Sequence, residues 1–251
     1  MKMIYFASDL HFGIPDRKSR AQREEKFIRW LDLIKNDAVE IFLMGDLFDF
    51  WFEYKTVVPK GYVRLLGKLA EITDSGIPIH FFKGNHDMWA FDYLEKEIGM
   101  TMYRQPIERV IGGKRFFLAH GDGLGPGDRG YKFLKNVFEL KINQFLFRWL
   151  HPDIGVWLGL YWSAKSRYAN LIKEAERGEE YDFQNARIAV YCRDILSQGR
   201  QIDYFVFGHW HVVNMEKIGD NSYYIHLGDW LTNFSYGVFD GNTFELKRFD
   251  N

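Results

Sequence analysis

Five short polar motifs bring together the residue types that bind metals through oxygen and nitrogen. They are Asp9-Leu10-His11, Gly45-Asp46-Leu47-Phe48-Asp49, Gly84-Asn85-His86-Asp87, His120-Gly121-Asp122 and Gly208-His209-Trp210-His211. Their side chains suffice for two cations, and Asp46 is the natural bridge because a carboxylate can offer one oxygen to each metal. Two metals about 3.5–4 Å apart activate a bridging water and clamp a phosphoryl oxygen. The motifs therefore predict phosphoester hydrolysis, and the lack of cysteine ligands favours Mn²⁺, with Fe or Zn²⁺ as alternatives.

Each motif follows directly on an apolar run that is typical of a buried strand. The runs are Met3 to Ala7, Ile41 to Met44, Ile79 to Phe82, Phe116 to Ala119 and Tyr204 to Phe207. Open α/β sheets bind ligands at the carboxyl ends of their strands, so the five motifs should meet at one edge. Helical periodicity in segments such as Arg17 to Lys35 and Gln184 to Ser197 predicts an α/β fold in which two layered sheets are flanked by helices.

The composition excludes several classes of protein. The chain has 251 residues with 47% hydrophobic content, and its formal net charge of −1 gives no general attraction to nucleic acid. The most apolar long segment, Phe145 to Trp162, contains Arg148 and Asp153, so it does not predict a membrane span. The apolar N-terminal stretch is too short for a signal peptide. The single cysteine, Cys192, fits a buried position in a reducing, cytoplasmic setting.

The segment from about residue 125 to 181 interrupts the alternation of strands and helices. Tyr131, Leu134 and Phe138 recur at steps of three and four, and further aromatic residues continue the pattern to Trp162. A helix that is apolar around so much of its circumference must be covered on two sides or must meet an apolar ligand. We therefore predict a helical insertion beside the metal edge. Ordinary packing against the core is the alternative explanation for its aromatic residues.

In order, spacing and flanking strands, the five motifs resemble those of the calcineurin-like binuclear metallophosphoesterases. The resemblance implies a four-layer αββα sandwich, as a single domain over residues 1–251 with a helical lid at about 125–181. It also implies two divalent metal ions held by two ligand sets. The first set is Asp9, His11, Asp46 and His211, and the second is Asp46, Asn85, His120 and His209.

The same family pattern implies roles for the neighbouring residues. His86 would stand over the substrate and either donate a proton to the leaving oxygen or stabilise charge on the phosphorus. Asp87 would orient the His86 ring, as carboxylates do for catalytic imidazoles. Asp49 and Asp122 would orient metal ligands, with loop capping as the rival interpretation.

Within that family the chain is most similar to the bacterial UDP-2,3-diacylglucosamine diphosphatases of lipid A synthesis. The similarity rests on Trp51, on Asp128 and Tyr131 after the fourth motif, on the aromatic insertion and on Leu227-Gly228-Asp229-Trp230. It implies attack of metal-activated water on a diphosphate, releasing UMP and 2,3-diacylglucosamine 1-phosphate. The substrate contacts that it implies are Asn85, Asp128, Tyr131, Ser163, Ser166, Arg167 and His209. Such an enzyme would be cytoplasmic, with peripheral contact to the inner face of the bacterial inner membrane.

One departure keeps other functions open. The best-known members of that branch carry an arginine where this chain has His86, which leaves room for another nucleotide or lipid phosphodiester or diphosphate as substrate. A nuclease is disfavoured because the chain is nearly neutral. A protein phosphatase would be expected to show Gly-Asp-x-Val-Asp-Arg-Gly and Gly-Asn-His-Glu, which Phe48 and Asp87 do not fit. A non-catalytic scaffold, like the corresponding retromer subunit, usually loses ligands that this chain retains.

Overall fold

The computed structural model describes residues 2–14, 17–177 and 183–250. Its strands in these residues are β1 (Met3–Ala7), β2 (Ala38–Leu43), β3 (Ile79–Phe82), β4 (Thr101–Tyr103), β5 (Ile107–Ile111), β6 (Lys114–Ala119), β7 (Tyr204–Phe207), β8 (Val213–Lys217), β9 (Tyr223–Leu227), β10 (Ser235–Phe239) and β11 (Phe244–Arg248). Its α-helices are α1 (Arg17–Ile34), α2 (Val63–Asp74), α3 (Tyr93–Lys96), α4 (Arg129–Glu139), α5 (Lys141–Arg148), α6 (Pro152–Arg177) and α7 (Arg187–Ser197).

The strands form two sheets. The first has the order β11-β10-β1-β2-β3-β4, and β1 to β4 run parallel. The second has the order β5-β6-β7-β9-β8, with β6, β7 and β9 parallel. The five polar motifs follow β1, β2 and β3 in one sheet and β6 and β7 in the other. Every motif therefore lies at the carboxyl end of a parallel strand, as the alternation of apolar runs and polar motifs predicts.

Three apolar clusters divide the fold into four layers. Between the sheets, Phe6 of β1 stacks on Phe116 of β6 with ring centroids 6.0 Å apart. Helices α1 and α2 cover the outer face of the first sheet through residues such as Trp30, and α7 covers the second through Cys192, which is buried. Full burial of one such aromatic or aliphatic side chain is worth about 1.5–3 kcal/mol. The predicted four-layer αββα arrangement is confirmed.

Helices α4, α5 and α6 occupy the predicted insertion. Part of their apolar surface packs on the core, as where Phe147 meets Phe52 with ring centroids 4.7 Å apart. Another part faces solvent, because Trp149 is 76% exposed and Trp157 is 62% exposed. The predicted end of the insertion, near residue 181, lies outside the described residues. Among the described helices, none combines the length and the apolar character that a bilayer crossing requires.

Candidate metal and catalytic site

Four of the residues predicted to bind metal have left-handed backbone conformations. Their φ angles are 56° at Asp9, 46° at His11, 52° at Asp46 and 67° at His209. Such angles are uncommon for residues that carry a side chain and cost on the order of 1–3 kcal/mol each. Hydrogen bonds between motifs hold them, since the His11 N–H donates to the Asp46 carbonyl at 2.9 Å. Backbone strain of this kind is concentrated at functional sites.

Two glycines in the motifs allow a close approach to the ligand side chains. Gly45 has a φ of 104°, and a Cβ at this position would collide with the His120 ring. A Cβ at Gly84 would collide with the carboxylate of Asp46. Glycine is therefore required in both loops because the neighbouring ligand occupies the space that a side chain would need.

The first predicted ligand set forms one cluster. Asp9 Oδ1 lies 3.8 Å from His11 Nε2 and 3.5 Å from His211 Nε2. The two Nε2 atoms are 3.3 Å apart. Asp9 and His11 are buried, whereas 32% of the His211 side chain is exposed. Imidazole nitrogens and a carboxylate oxygen that face the same point suit a divalent transition metal.

The second predicted ligand set forms an adjoining cluster. His120 Nε2 lies 3.4 Å from Asp46 Oδ2 and 3.3 Å from Asn85 Oδ1. His209 completes it, because Asp46, His120 and His209 offer ligand atoms within 4.8 Å of one another. His120 Nδ1 lies 2.7 Å from the Met44 carbonyl, which only accepts hydrogen bonds. The neutral ring therefore carries its proton on Nδ1 and turns the Nε2 lone pair toward the cluster.

Asp46 faces both clusters through a single oxygen. Its Oδ2 lies 3.7 Å from His11 Nε2 and 3.4 Å from His120 Nε2. Its Oδ1 accepts a hydrogen bond from the backbone N–H of His86 at 2.8 Å. Oδ2 is therefore the oxygen of Asp46 that lies near histidines of both clusters, whereas Oδ1 bonds the loop of the third motif; that Asp46 bridges two metals stays a prediction.

The charges of the two clusters fit divalent cations. Asp9 Oδ1 is buried and has no hydrogen-bond partner in the described part of the chain, which is costly unless a cation neutralises it. Burial raises the pKa of Asp46, but His120 and His86 outweigh it and hold that pKa well below its usual range. Asp46 is therefore ionised at neutral pH. One cation would be held by Asp9, His11, Asp46 and His211, and the other by Asp46, Asn85, His120 and His209.

The His86 ring is held by residues other than Asp87. Asp87 Oδ2 accepts a hydrogen bond from the Leu47 N–H at 2.7 Å and so ties the second motif to the third. His86 Nδ1 lies 2.9 Å from the Asp49 carbonyl oxygen and 2.9 Å from Ser163 Oγ. The contacts of the Asp87 carboxylate are thus to backbone N–H groups of Leu47 and Gly84, whereas the prediction places it against the His86 ring.

The other two acidic residues of the motifs support the site from its periphery. Asp49 Oδ1 lies 3.3 Å from His11 Nδ1, so this carboxylate contacts a candidate metal ligand. Asp122 Oδ2 accepts hydrogen bonds from the Tyr131 hydroxyl at 2.6 Å and from Lys135 Nζ at 2.7 Å. Burial raises the pKa of Asp122, but His120 and Lys135 lower it overall. Asp122 therefore anchors α4 beside the metal clusters.

The residues predicted to contact substrate do not all face one space. Four of them line a common cavity: Asn85, Tyr131, Ser163 and Ser166. Arg167 is hydrogen-bonded to Asp49, and His209 belongs to the metal cluster. Asp128 is 48% exposed and pairs with Arg187 at 3.2 Å, and it is absent from the lining of this cavity.

This cavity has a volume of about 360 Å³ and opens between the core and the helices of the insertion. Its walls are mostly apolar and include Phe50, Trp89, Phe138, Leu158 and Trp162. Its polar end is formed by Asp49, Asn85 and His86. A ligand in this space would place apolar groups among the aromatic side chains and a polar group beside the metal clusters.

Two residues outside the five motifs, Asp229 and Asn233, support His211. Asp229 Oδ2 lies 3.9 Å from His211 Nδ1, and Asn233 Nδ2 donates to the His211 carbonyl at 3.0 Å. Asp229 also accepts hydrogen bonds from the backbone of Leu231 and Thr232, which fixes its loop. The sequence does contain a pattern that indicates Asp229, since Gly228-Asp229 follows β9 much as Gly45-Asp46 follows β2.

A two-sheet αββα sandwich with paired His/Asp clusters at its strand ends defines a metal-dependent phosphoesterase. Residues 2–213 match the profile of the calcineurin-like phosphoesterases, and the chain belongs to this family. It is 36% identical over 255 residues to a UDP-2,3-diacylglucosamine hydrolase of Porphyromonas gingivalis, covering 98% of this chain and 97% of the relative. Proteins of the same name from Histophilus somni (26% identical; 98% and 100% covered) and Haemophilus influenzae (27%; 94% and 93%) are also similar.

Proposed function

We propose that the protein hydrolyses the diphosphate of UDP-2,3-diacylglucosamine to UMP and 2,3-diacylglucosamine 1-phosphate, in the pathway to lipid A. The observation that carries the proposal is the apolar cavity that ends at Asn85 and His86 beside the metal clusters. The names of the relatives, which match the chain over nearly its full length, support the same substrate.

The cavity fits the chemistry of a two-chain glycolipid. Its volume of about 360 Å³ and its aromatic walls suit acyl groups, because burial of each CH₂ is worth about 0.8 kcal/mol. We propose that Asn85, Tyr131, Ser166 and His209 contact the polar part of the substrate. Asp128 is paired with Arg187, so Asp128 would reach the substrate only after that ion pair opens. On this proposal the insertion is the lid of the site.

Two divalent cations, with manganese as the proposed metal, would supply an activated water and a Lewis acid for the phosphoryl oxygens. The residues of the chain then position the reacting groups. His86 stands beside both clusters, since His11, Asp46 and His86 offer ligand atoms within 4.8 Å of one another. We propose that its ring donates a proton to the leaving oxygen or stabilises charge on the phosphorus.

The exposed surface of the insertion supports contact with a membrane surface. Trp149, Trp157 and Tyr161 are each more than half exposed, and other apolar side chains of α4 to α6 lie nearby in sequence. An apolar surface of this kind is typical of interaction sites, and an amphiphilic substrate would be met at the lipid interface. We propose that the protein acts as a peripheral enzyme at the inner face of the bacterial inner membrane.

A related activity is favoured by one observation. The chain has His86 at the position where the family resemblance implies an arginine in the best-known members of this branch. A proton-donating histidine suits a poorer leaving group than a phosphate. The second candidate is therefore hydrolysis of another nucleotide or lipid phosphodiester or diphosphate by the same site.

Comparing two UDP-sugars tests the proposal. With Mn²⁺, kcat/KM for UMP release from UDP-2,3-diacylglucosamine should exceed that from UDP-N-acetylglucosamine by roughly a hundredfold or more, because only the first substrate fills the apolar cavity. Leu134→Trp, which adds bulk to the cavity wall, should erase most of this difference. Phe133→Trp is the matched control because Phe133 is 70% exposed on the same helix. Equal rates on both substrates would contradict the proposal.

A further inference from the structure

Helix α6 sends two polar side chains into the edge of the metal site. Ser163 Oγ lies 2.8 Å from Asp49 Oδ1 and 2.9 Å from His86 Nδ1. Arg167, one turn further along the helix, donates to Asp49 Oδ1 and lies 2.6 Å from Ser163 Oγ. Asp49 is 0% exposed and Ser163 is 6% exposed, so these contacts are shielded from water.

The direction of each hydrogen bond follows from the groups involved. His86 Nδ1 lies 2.9 Å from the Asp49 carbonyl oxygen, which only accepts, so Nδ1 carries a hydrogen. Ser163 Oγ accepts from His86 Nδ1 and Arg167, and its own hydrogen is directed to Asp49 Oδ1. The Ser163 hydroxyl therefore makes its hydrogen bonds, both as donor and as acceptor, to groups of the protein itself. Since Nδ1 is engaged by the protein, Nε2 is the ring nitrogen of His86 that remains for the substrate.

Asp49 joins this network to the metal clusters. The same Oδ1 atom that accepts from Ser163 lies 3.3 Å from Nδ1 of His11, a candidate metal ligand. The cavity wall includes Asp49, His86 and Ser163 together. Any displacement of α6 from the core would therefore remove a hydrogen-bond partner from His86 and from Asp49 at once.

We propose that Ser163 is a positioning residue, which fixes the orientation of the His86 ring from α6 and so couples the seating of this helix to hydrolysis. The inference rests on the phosphoesterase function proposed above and deepens it. It differs from the role that the family resemblance implies, in which Ser163 contacts the substrate. The two roles make different predictions for a substrate that is too small to reach α6.

The kinetic test uses metal-loaded protein, UDP-2,3-diacylglucosamine and 2′,3′-cyclic UMP, a small phosphodiester with an alkoxide leaving group. Ser163→Ala should lower kcat on both substrates by roughly ten- to hundredfold, as loss of a supporting hydrogen bond does, with little change in KM. Ser163→Thr, which keeps the hydroxyl, should restore most of the activity. Lys165→Ala is the control, because this exposed side chain lies on the same helix.

A spectroscopic test does not depend on turnover. In metal-free protein labelled with ¹⁵N-histidine, the signals of the His86 ring can be assigned by their loss in His86→Gln. Ser163→Ala should shift and broaden these signals, because the ring loses one of the two groups that hold Nδ1, while a melting curve confirms that the variant is folded. Unchanged His86 signals would overturn the proposal.

The kinetic outcomes separate this inference from the proposed substrate. If Ser163→Ala raises only KM for the acylated substrate and spares 2′,3′-cyclic UMP, Ser163 is a substrate contact and the positioning role is wrong. If the wild type does not cleave UDP-2,3-diacylglucosamine but Ser163→Ala slows hydrolysis of 2′,3′-cyclic UMP, the positioning role holds and the proposed substrate is wrong.

Discussion

Asp46 Oδ2 lies 3.4 Å from His120 Nε2, and this contact places one carboxylate oxygen in the second ligand cluster. The same oxygen is 3.7 Å from His11 Nε2, in the first cluster. The other oxygen, Oδ1, is held by the backbone N–H of His86 at 2.8 Å. The side chain is therefore fixed so that Oδ2 lies between histidines of both ligand clusters.

Removal of this carboxylate should empty both metal sites together. We expect Asp46→Ala to lower metal content from about two ions per chain to fewer than about one and to abolish hydrolysis, because Asp46 belongs to both proposed ligand sets. Elemental analysis of the purified variant, dialysed against Mn²⁺, measures this directly. Asp122→Asn is the control, since Asp122 is also buried but bonds to Tyr131 and Lys135. Two ions in Asp46→Ala would rule out the bridge.

The strand-end location of the motifs could be predicted because it depends on local sequence. An apolar run followed by Asp9 or Asp46 indicates both a buried strand and the loop after it, and parallel strands end at a common edge. The partner of His86 could not be predicted in this way. Ser163 is separated from Asp49 by 114 positions, and their contact depends on how α6 packs on the core. Proximity in sequence favours Asp87 as the partner of His86, but in the fold the Asp87 carboxylate accepts hydrogen bonds from backbone N–H groups.

Truncation of His86 should separate metal binding from turnover. We expect His86→Ala to retain both ions, because the hydrogen bond to Asp46 comes from the backbone N–H and survives the change. Its kcat should fall by roughly two to four orders of magnitude, as is typical for loss of a general acid. Metal analysis and steady-state kinetics on one preparation check both parts. The control is His151→Ala, an exposed histidine. Unchanged kcat would remove His86 from the mechanism.

The exposed tryptophans of the insertion should govern binding to lipid. We expect the double variant Trp149→Ser and Trp157→Ser to reduce partitioning onto phosphatidylglycerol–phosphatidylethanolamine vesicles by roughly tenfold or more, because each tryptophan would insert apolar area into the interface. Cosedimentation measures the bound fraction. Val63→Ser is the matched control, since Val63 is 81% exposed on α2, outside the insertion. Equal loss in both variants would show that the insertion is not the contact surface.

Protonation of a buried histidine should make the fold sensitive to acid. His226 is 0% exposed and stacks on Trp210 with ring centroids 5.6 Å apart. Burial lowers the pKa of His226 from 6.5 to about 4, so this ring stays neutral in the folded state. Below pH 6.5 the unfolded chain gains a proton that the folded chain does not bind until about pH 4. The free energy of unfolding therefore decreases as the pH falls through this window.

His226→Phe should remove the pH dependence that His226 adds to the unfolding free energy, because phenylalanine does not titrate, and its ring can still stack on Trp210. Between about pH 8 and about pH 5, the wild type should lose about 2 kcal/mol more of its unfolding free energy than the variant. Urea unfolding at constant metal concentration measures the difference at each pH. His151→Phe is the control, because the His151 side chain is 68% exposed, and it should follow the wild-type curve. Parallel curves for wild type and His226→Phe would contradict the lowered pKa, since a neutral buried ring must take up its proton only when the chain unfolds.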